Sequence, residues 1–192
     1  MNKCLKSATL LASALTLASC GVFNADDEHV GGAFEKLVKK EQEWSDTIQV
    51  VDNLGIKDSY AERLYSHKGE NFDFKATGSI NDIFVGARIE CGEDGGKLYI
   101  FCGNRHSNGV WFEEPEIVFK DLEGRKMTNE DGYTIRMLDS MVVNKKTYKN
   151  VLEFDASDAK KNECSYDKFY IAATKGLLRI DLKDTITIER KR

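Results

Sequence analysis

The side chains that could carry out acid–base or nucleophilic chemistry are scattered along the chain. His29, His67 and His106 each lie in a predicted loop, where a lone imidazole is normally just solvated. The carboxylates of Glu113-Glu114 cannot flank one glycosidic bond, because adjacent residues of a strand face opposite sides of it. The sequence contains no nucleophile elbow, phosphate-binding loop, zinc-protease helix or glycine-rich dinucleotide turn. It therefore predicts no catalytic residue, and we expect a protein that is not an enzyme.

One cysteine stands in an informative sequence context near the N-terminus. Cys20 ends the motif Leu17-Ala18-Ser19-Cys20, which follows two lysines and the uncharged apolar stretch Ser7 to Leu17. At about eleven residues this stretch has the length of the apolar region of a signal peptide, whereas a membrane-spanning helix needs about twenty. The pattern resembles the lipobox of bacterial lipoprotein precursors, in which an aliphatic residue and two small ones precede the cysteine.

The resemblance implies a signal peptide of residues 1–19 and a lipid anchor on Cys20. In that family the cysteine thiol receives a diacylglyceryl group, and the chain is cut just before it. Each methylene of an acyl chain that is buried in the bilayer contributes about 0.8 kcal/mol to membrane binding. No cofactor is expected besides this covalent lipid. Gly21 follows the cysteine where an aspartate would indicate inner-membrane retention, so the resemblance favours the outer membrane. It does not distinguish a periplasmic from a surface-facing domain.

Three cysteines, Cys91, Cys102 and Cys164, remain in the mature chain, and an oxidising envelope favours one disulfide with one thiol left over. A turn centred on Gly96-Lys97 would place Cys91 directly opposite Cys102 on neighbouring strands. A turn at Asp94-Gly95 would instead leave them about four residues, or roughly 13 Å, apart along the strand. A disulfide needs Cα atoms within about 7 Å. Cys164 could pair with either cysteine, so the sequence leaves the pairing open.

Two other groups of residues are candidates for binding. A metal site formed by Cys91, Cys102 and His106 is not expected, because structural zinc sites usually contain cysteines paired at short spacing. Trp111 and Phe112 follow a polar loop and form the candidate binding surface, since an exposed aromatic ring can stack on a sugar or hold a partner. The competing interpretation places one of these rings in the core and leaves the other partly covered.

Charge restricts the class of partner. The formal net charge is −4, and removal of Lys3 and Lys6 with the signal peptide makes the mature chain more acidic. Nucleic acid is therefore not expected as a partner, because it requires a concentrated basic face. The expected partners are the membrane, through the anchor, and an envelope protein or glycan. Lys175 to Arg192 has a basic excess, which suits either contact with anionic headgroups or a charged sheet edge that discourages pairing with other chains.

The mature chain is predicted to contain an acidic tether, residues 20–32, and a single β-rich domain, residues 33–192. Apolar residues at spacings of three and four predict an amphipathic helix that starts near Ala33. These residues are Phe34, Leu37, Val38, Trp44, Ile48 and Val51. The β-branched stretch Thr47–Val51 could equally begin a strand, and Trp44 is expected to pack in the core.

From residue 58 onward the apolar pattern has a period of two, which indicates strands. The predicted strands are Tyr60–Tyr65, Phe72–Ala76, Ile80–Cys91, Lys97–Cys102, Gly109–Phe112, Glu116–Phe119, Tyr133–Leu138, Met141–Val143, Thr147–Phe154, Lys168–Ala173, Leu177–Leu182 and Thr185–Arg190. Many short strands separated by glycine, asparagine and aspartate turns predict a mainly β fold, an antiparallel meander that forms a barrel, a half-barrel or a sandwich.

The end of the chain resembles a second group of proteins. Phe169 to Ile180 contains an aromatic pair, a glycine turn and a strand of the form Gly-Leu-hydrophobic-Arg, and Thr147–Val151 precedes it. Both stretches are similar to strands of uncharacterised β-rich envelope lipoproteins, which implies a β fold and no particular activity. We therefore expect a non-enzymatic interaction or ligand-binding module. The alternatives are a half-barrel carrier of a lipid or acyl chain and a glycan hydrolase.

Overall fold

The computed structural model describes residues 42–67, 71–78, 83–92, 95–104, 116–120, 126–173 and 175–191. These residues form twelve strands: β1 (Gln42–Asp52), β2 (Lys57–His67), β3 (Asn71–Gly78), β4 (Ile83–Gly92), β5 (Gly95–Asn104), β6 (Ile117–Phe119), β7 (Lys126–Thr128), β8 (Thr134–Val143), β9 (Lys146–Asp155), β10 (Tyr166–Ala172), β11 (Gly176–Leu182) and β12 (Thr187–Arg190). Within these ranges there is no helix of the length and hydropathy needed to cross a bilayer.

All twelve strands belong to one antiparallel sheet in the order β6-β5-β4-β3-β2-β1-β12-β11-β10-β9-β8-β7. Two meanders, β1–β6 and β7–β12, are joined where the first strand pairs with the last, with Val50 opposite Arg190 and Asp52 opposite Ile188. The sheet curls into a nearly closed, barrel-like form. The prediction of a mainly β, antiparallel fold is thus confirmed.

The strands form because apolar and polar residues alternate, so that one face of each strand can be buried. In β2 the side chains of Tyr60 and Leu64 are buried, whereas those of Arg63 and Tyr65 between and beyond them are exposed. The ring of Tyr60 lies directly over Gly78 of β3, where an added Cβ would lie only 2.0 Å from the ring carbon Cζ. Gly78 therefore provides the space in which the largest inward-facing side chain of β2 packs.

The inner face of the sheet carries one continuous apolar core to which both meanders contribute. Phe72 and Phe74 come from the first meander and are fully buried. In the second meander the ring centroid of Phe154 lies 5.2 Å from that of Phe169 and 5.9 Å from that of Tyr133. Aromatic rings at these separations stabilise a core beyond the area that they bury. Neither meander has a core of its own on this face.

The β8–β9 hairpin also buries part of the outer face. Its turn residues Asn144 and Lys145 have φ angles of 48° and 64°, the left-handed conformation that a two-residue type I′ turn requires. The Nδ2 of Asn144 donates to the backbone oxygen of Arg190 in β12 at 2.5 Å. Because β12 is three strands away from β9 in the sheet, the hairpin must cross the outer face of β10 and β11. The buried side chains between them are Val143, Tyr148, Val151, Tyr170, Ala172 and Leu178.

The predicted N-terminal helix is wrong over Gln42–Asp52, which is strand β1. The remainder of that prediction, residues 33–41, lies outside the described residues. Trp44, Ile48 and Val50 lie at even spacing, and all three pack on the core. Trp44 and Ile48 are four residues apart, which suits a helix as well as a strand, whereas Val51 shares a face with Ile48 only in a helix. Pairing with β2 along the whole of Gln42–Val51 decides for the strand, because it satisfies the backbone while the β-branched side chains pack on a sheet.

The disulfide joins Cys102 of β5 to Cys164 in the β9–β10 connection, with the Cα atoms 5.3 Å apart. Cys91 is not its partner, because the β4–β5 register places Cys91 opposite Gly96 and Cys102 opposite Val85. This register fits neither a turn centred on Gly96-Lys97 nor one at Asp94-Gly95. Six residues, or roughly 20 Å of strand, separate Gly96 from Cys102. The observed bond ties the two meanders together across the core.

Candidate functional site: a carboxylate pair beside an open sheet edge

Glu62 is an acidic residue on the buried face of β2. It lies between Tyr60 and Leu64 in the inward-facing row, and only 2% of its surface is exposed. Burying an ionised carboxylate costs several kcal/mol unless charges and hydrogen bonds compensate it. The groups around Glu62 must therefore supply that compensation.

Arg190 and the backbone of Leu177 are the partners of Glu62. A guanidinium nitrogen of Arg190 lies 3.2 Å from Oε2 of Glu62, and the Leu177 N–H donates to Oε1 at 2.6 Å. The same nitrogen, Nη1, also donates to the backbone oxygens of Lys175 and Leu177. These bonds connect β2 with β11 and β12 across the inside of the sheet. Glu62 and Arg190 thus hold the start of β11 close to β2.

Gly176 allows β11 to begin so close to this carboxylate. Its φ angle is +74°, in the left-handed region that side chains disfavour. An added Cβ would lie 2.6 Å from Oε1 of Glu62. Both the backbone conformation and the space at this position therefore require glycine.

A second carboxylate, Asp46, lies next to Glu62. The β1–β2 register places these two residues directly opposite each other, so they share the inner face. The pKa of Glu62 is raised to about 7: burial is the largest cause and the charge of Asp46 adds to it, while Arg190 and the Leu177 N–H act in the opposite direction. Glu62 therefore changes its protonation near neutral pH.

The sheet is open beside this pair. β12 pairs with β1 only over Val50–Asp52, and a last bond runs from the N–H of Lys191 to the oxygen of Gln49 at 2.8 Å. Among the described residues, no strand pairs with the remainder of that β1 edge. Asp46 faces inward but is exposed, as are Ser45 and Thr47 on either side of it. We name this opening, formed by Ser45, Asp46 and Thr47 above Glu62 and Arg190, the β1 notch.

The β1 notch is suited to binding rather than to acid–base chemistry. Both oxygens of Glu62 are bonded to the protein, and the carboxylate is buried, so a substrate does not reach it. The backbone of Thr47 points the same way as that of Gln49, away from β2, because residues two apart in a strand are oriented alike. Within the described ranges its N–H donates to its neighbour, the Asp46 carboxylate, at 2.7 Å. In the described part of the chain there is no group of three or more side chains that could hold a metal ion.

The described cysteines that the sequence singled out do not lie at the β1 notch. Cys102 and Cys164 form the disulfide, and Cys91 lies in β4 opposite Gly96. Cys20, which carries the predicted lipid, and the candidate binding residues Trp111 and Phe112 lie outside the described residues.

Glu62, Asp46 and Arg190 were not predicted as site residues. A signal for Glu62 exists in the alternating pattern of β2, where an acidic residue occupies an inward position between Tyr60 and Leu64. Arg190 could not be assigned to Glu62 in the same way, because 128 residues separate them and only the pairing of the first strand with the last brings them together.

Comparison with known proteins brings no further guidance. No protein family, no curated protein and no solved structure matches this chain. The function has to be inferred from the residues of the chain itself.

Proposed function

We propose that this protein is a lipid-anchored lipoprotein of the cell envelope and that its β domain is a non-enzymatic interaction module. The anchor is supported by the lipobox pattern that ends at Cys20, after a signal peptide of residues 1–19. The outer membrane is the favoured location because Gly21, rather than an aspartate, follows that cysteine. Acyl chains on Cys20 would keep the domain at the bilayer without any membrane-spanning segment.

One observation supports an interaction module over a carrier: the protein's own side chains fill the inner face of the sheet. A carrier of an acyl chain needs an unfilled concave face, lined but not occupied by apolar residues. Here the largest inward-facing side chains pack against one another in a single cluster and are fully buried. They include Phe72, Phe74, Leu98, Ile100, Phe154, Tyr166 and Phe169. This packing favours binding by the surface of the domain over binding in its interior.

The geometry of the carboxylates supports binding over glycan hydrolysis. A glycosidase needs two carboxyl groups that both reach the scissile bond. Asp46 is exposed, but Glu62 is buried and held by Arg190 and the Leu177 N–H. Glu62 therefore serves to position the start of β11 beside the notch.

Strand addition at the β1 notch is the binding mode that we propose. An extended segment of an envelope protein would continue the line of β12, antiparallel to β1, and pair with the open edge at Ser45 and Thr47. Backbone hydrogen bonds supply the affinity in such complexes, and side-chain pockets supply the specificity. A basic side chain on the segment would meet the exposed carboxylate of Asp46.

The anchor is tested by replacing Cys20 with alanine. Wild-type protein from the envelope is expected to carry covalent lipid in intact-mass measurements, and Cys20→Ala protein is expected to remain unacylated. Lipid on the Cys20→Ala protein would show that the anchor lies elsewhere.

The strand-addition mode is tested with a photo-crosslinking residue at Ser45 in cells. Crosslinks to a defined envelope protein are expected there, and not from the same residue placed at Thr128 of β7, an exposed position at the far edge of the sheet. Adding Thr47→Pro removes the N–H that faces the notch but leaves the β1–β2 ladder, as edge strands tolerate proline. We expect Thr47→Pro to abolish the crosslinks and Thr47→Ala to retain them. Equal crosslinking in both variants would disprove strand addition.

A further inference from the structure

The distal half of the β8–β9 hairpin, Ser140 to Lys149, is basic within an acidic protein. It contains three lysines and no acidic residue, although the chain has a formal net charge of −4. Lys145, Lys146 and Lys149 are all exposed. The hairpin therefore concentrates positive charge at one place on the outer face.

These lysines are presented on a rigid support. Val143 and Tyr148 of the hairpin are buried against β10 and β11. The amide of Asn144 is bonded to β12 at 2.5 Å, and the Nζ of Lys146 lies 5.3 Å from the ring centroid of Tyr148. The hairpin backbone that carries the three lysines is thus held against the sheet, in contrast to that of a loop that moves independently.

An exposed aliphatic side chain lies on the same side of the hairpin as Lys149, whereas Lys146 lies on the other side, next to the ring of Tyr148. Val142 is 63% exposed and pairs across the hairpin with Thr147, on the side that faces away from the sheet. Basic side chains draw a protein surface to the headgroups of an anionic bilayer, and an exposed apolar side chain beside them strengthens the contact. The positive charges meet the headgroups, and the apolar side chain enters the interface. A soluble anion would need the charges but not Val142.

We propose that this basic tip, formed by Val142, Lys145, Lys146 and Lys149, docks the domain on the anionic headgroup surface of a lipid bilayer. The contact is separate from the β1 notch and from the covalent anchor. The anchor would keep the domain near the membrane, and the basic tip would set which side of the sheet faces it.

The test is a lysine footprint of the full mature protein, purified from the envelope and bound to vesicles. Acetylation of each lysine is followed by mass spectrometry with vesicles of phosphatidylcholine alone and with vesicles that also contain phosphatidylglycerol. We expect the three tip lysines to react about fivefold more slowly on the anionic vesicles, as each lysine at such a surface is held by roughly that factor. Lys97, an exposed lysine of β5 that is five strands from β12 in the sheet order, serves as the internal control and should react equally on both.

Two outcomes would overturn the proposal. Equal reactivity of the tip lysines on both kinds of vesicle would show that the tip does not contact the anionic surface. Equal protection by inorganic phosphate without vesicles would assign the tip to a free anion instead of a bilayer. Because no residue is replaced, neither outcome can be attributed to misfolding.

Discussion

Glu62 is a carboxylate whose surroundings differ strongly from water. It faces the core, and its two oxygens are bonded to Arg190 of β12 and to the backbone of β11. Burial nevertheless dominates, which raises its pKa to about 7. The Glu62–Arg190 ion pair therefore links β2 to β12, and Glu62 loses its negative charge as the pH falls below about 7.

Replacing Glu62 with glutamine tests this link. The folded protein holds the Glu62 proton more tightly than the unfolded chain, in which the pKa is near 4.5. The resulting contribution to stability is complete below pH 4.5 and is lost as the pH rises through about 7. We expect it to be at most about 3 kcal/mol of the wild-type free energy of unfolding. Glu62→Gln should remove this part of the pH dependence, measured by urea denaturation between these pH values.

A matched control is available in Glu43, an exposed carboxylate on β1 that pairs with Arg63. Glu43→Gln should leave the pH dependence of unfolding unchanged. If Glu62→Gln retained the wild-type slope, the raised pKa would be refuted.

Alanine substitutions at two glycines with positive φ distinguish the cost of backbone strain from the cost of a clash with Glu62. Gly55 has φ +86° and no atom within 4 Å of an added Cβ, whereas Gly176 has φ +74° and Oε1 of Glu62 at 2.6 Å. Gly55→Ala should cost about 1 kcal/mol from conformation alone. Gly176→Ala should cost clearly more, because it also displaces the carboxylate from the Leu177 N–H. Equal losses of unfolding free energy would speak against a tight fit at Gly176.

At the scale of elements, the disulfide closes a long loop between the meanders. Cys102 and Cys164 are 62 residues apart in sequence. Replacing both with alanine should lower the free energy of unfolding by about 4 kcal/mol, the chain entropy of a loop of this length. Cys91→Ser, which leaves this bond in place, is the control. Chemical denaturation under non-reducing conditions measures the difference, and a double variant as stable as Cys91→Ser would contradict the prediction.

The elements could be predicted to different degrees. Period-two patterns locate the strands from β2 onward, with β8 covering two predicted segments, Tyr133–Leu138 and Met141–Val143. The short strand β7, Lys126–Thr128, was not predicted, because its three residues show no period. β1 is predicted as a helix, with a strand over Thr47–Val51 as the alternative, because Trp44 and Ile48 fit both spacings, and the structure contains the strand. Predicted strand Gly109–Phe112 lies outside the described residues.

At the scale of the whole molecule, a shared core makes the two meanders depend on each other. Phe154 in β9 is fully buried in the cluster that also contains Phe72 and Phe74 of β3. A domain with one core should unfold in one cooperative transition. Phe154→Ala should destabilise it by roughly 3–5 kcal/mol.

The readout uses two probes of different parts of the chain. Tryptophan fluorescence reports on the first meander, because both tryptophans, Trp44 and Trp111, belong to its sequence. Circular dichroism reports on all strands. Phe154→Ala in the second meander should shift both denaturation midpoints equally. Tyr65→Ala, on the exposed outer face of β2, should shift them little. Two separate transitions would mean that the meanders unfold independently.

The sequence by itself determined the local properties of this protein. Alternation of apolar residues specifies strands because one face of a sheet must be buried, and glycine and asparagine specify turns because they adopt positive φ. The same local reading predicts the signal peptide and the lipidated cysteine. The tertiary structure alone decided the pairing of β1 with β12, the Cys102–Cys164 bond, and the meeting of Glu62 with Arg190. These contacts join residues far apart in sequence, and their partners depend on strand register and on the curl of the whole sheet.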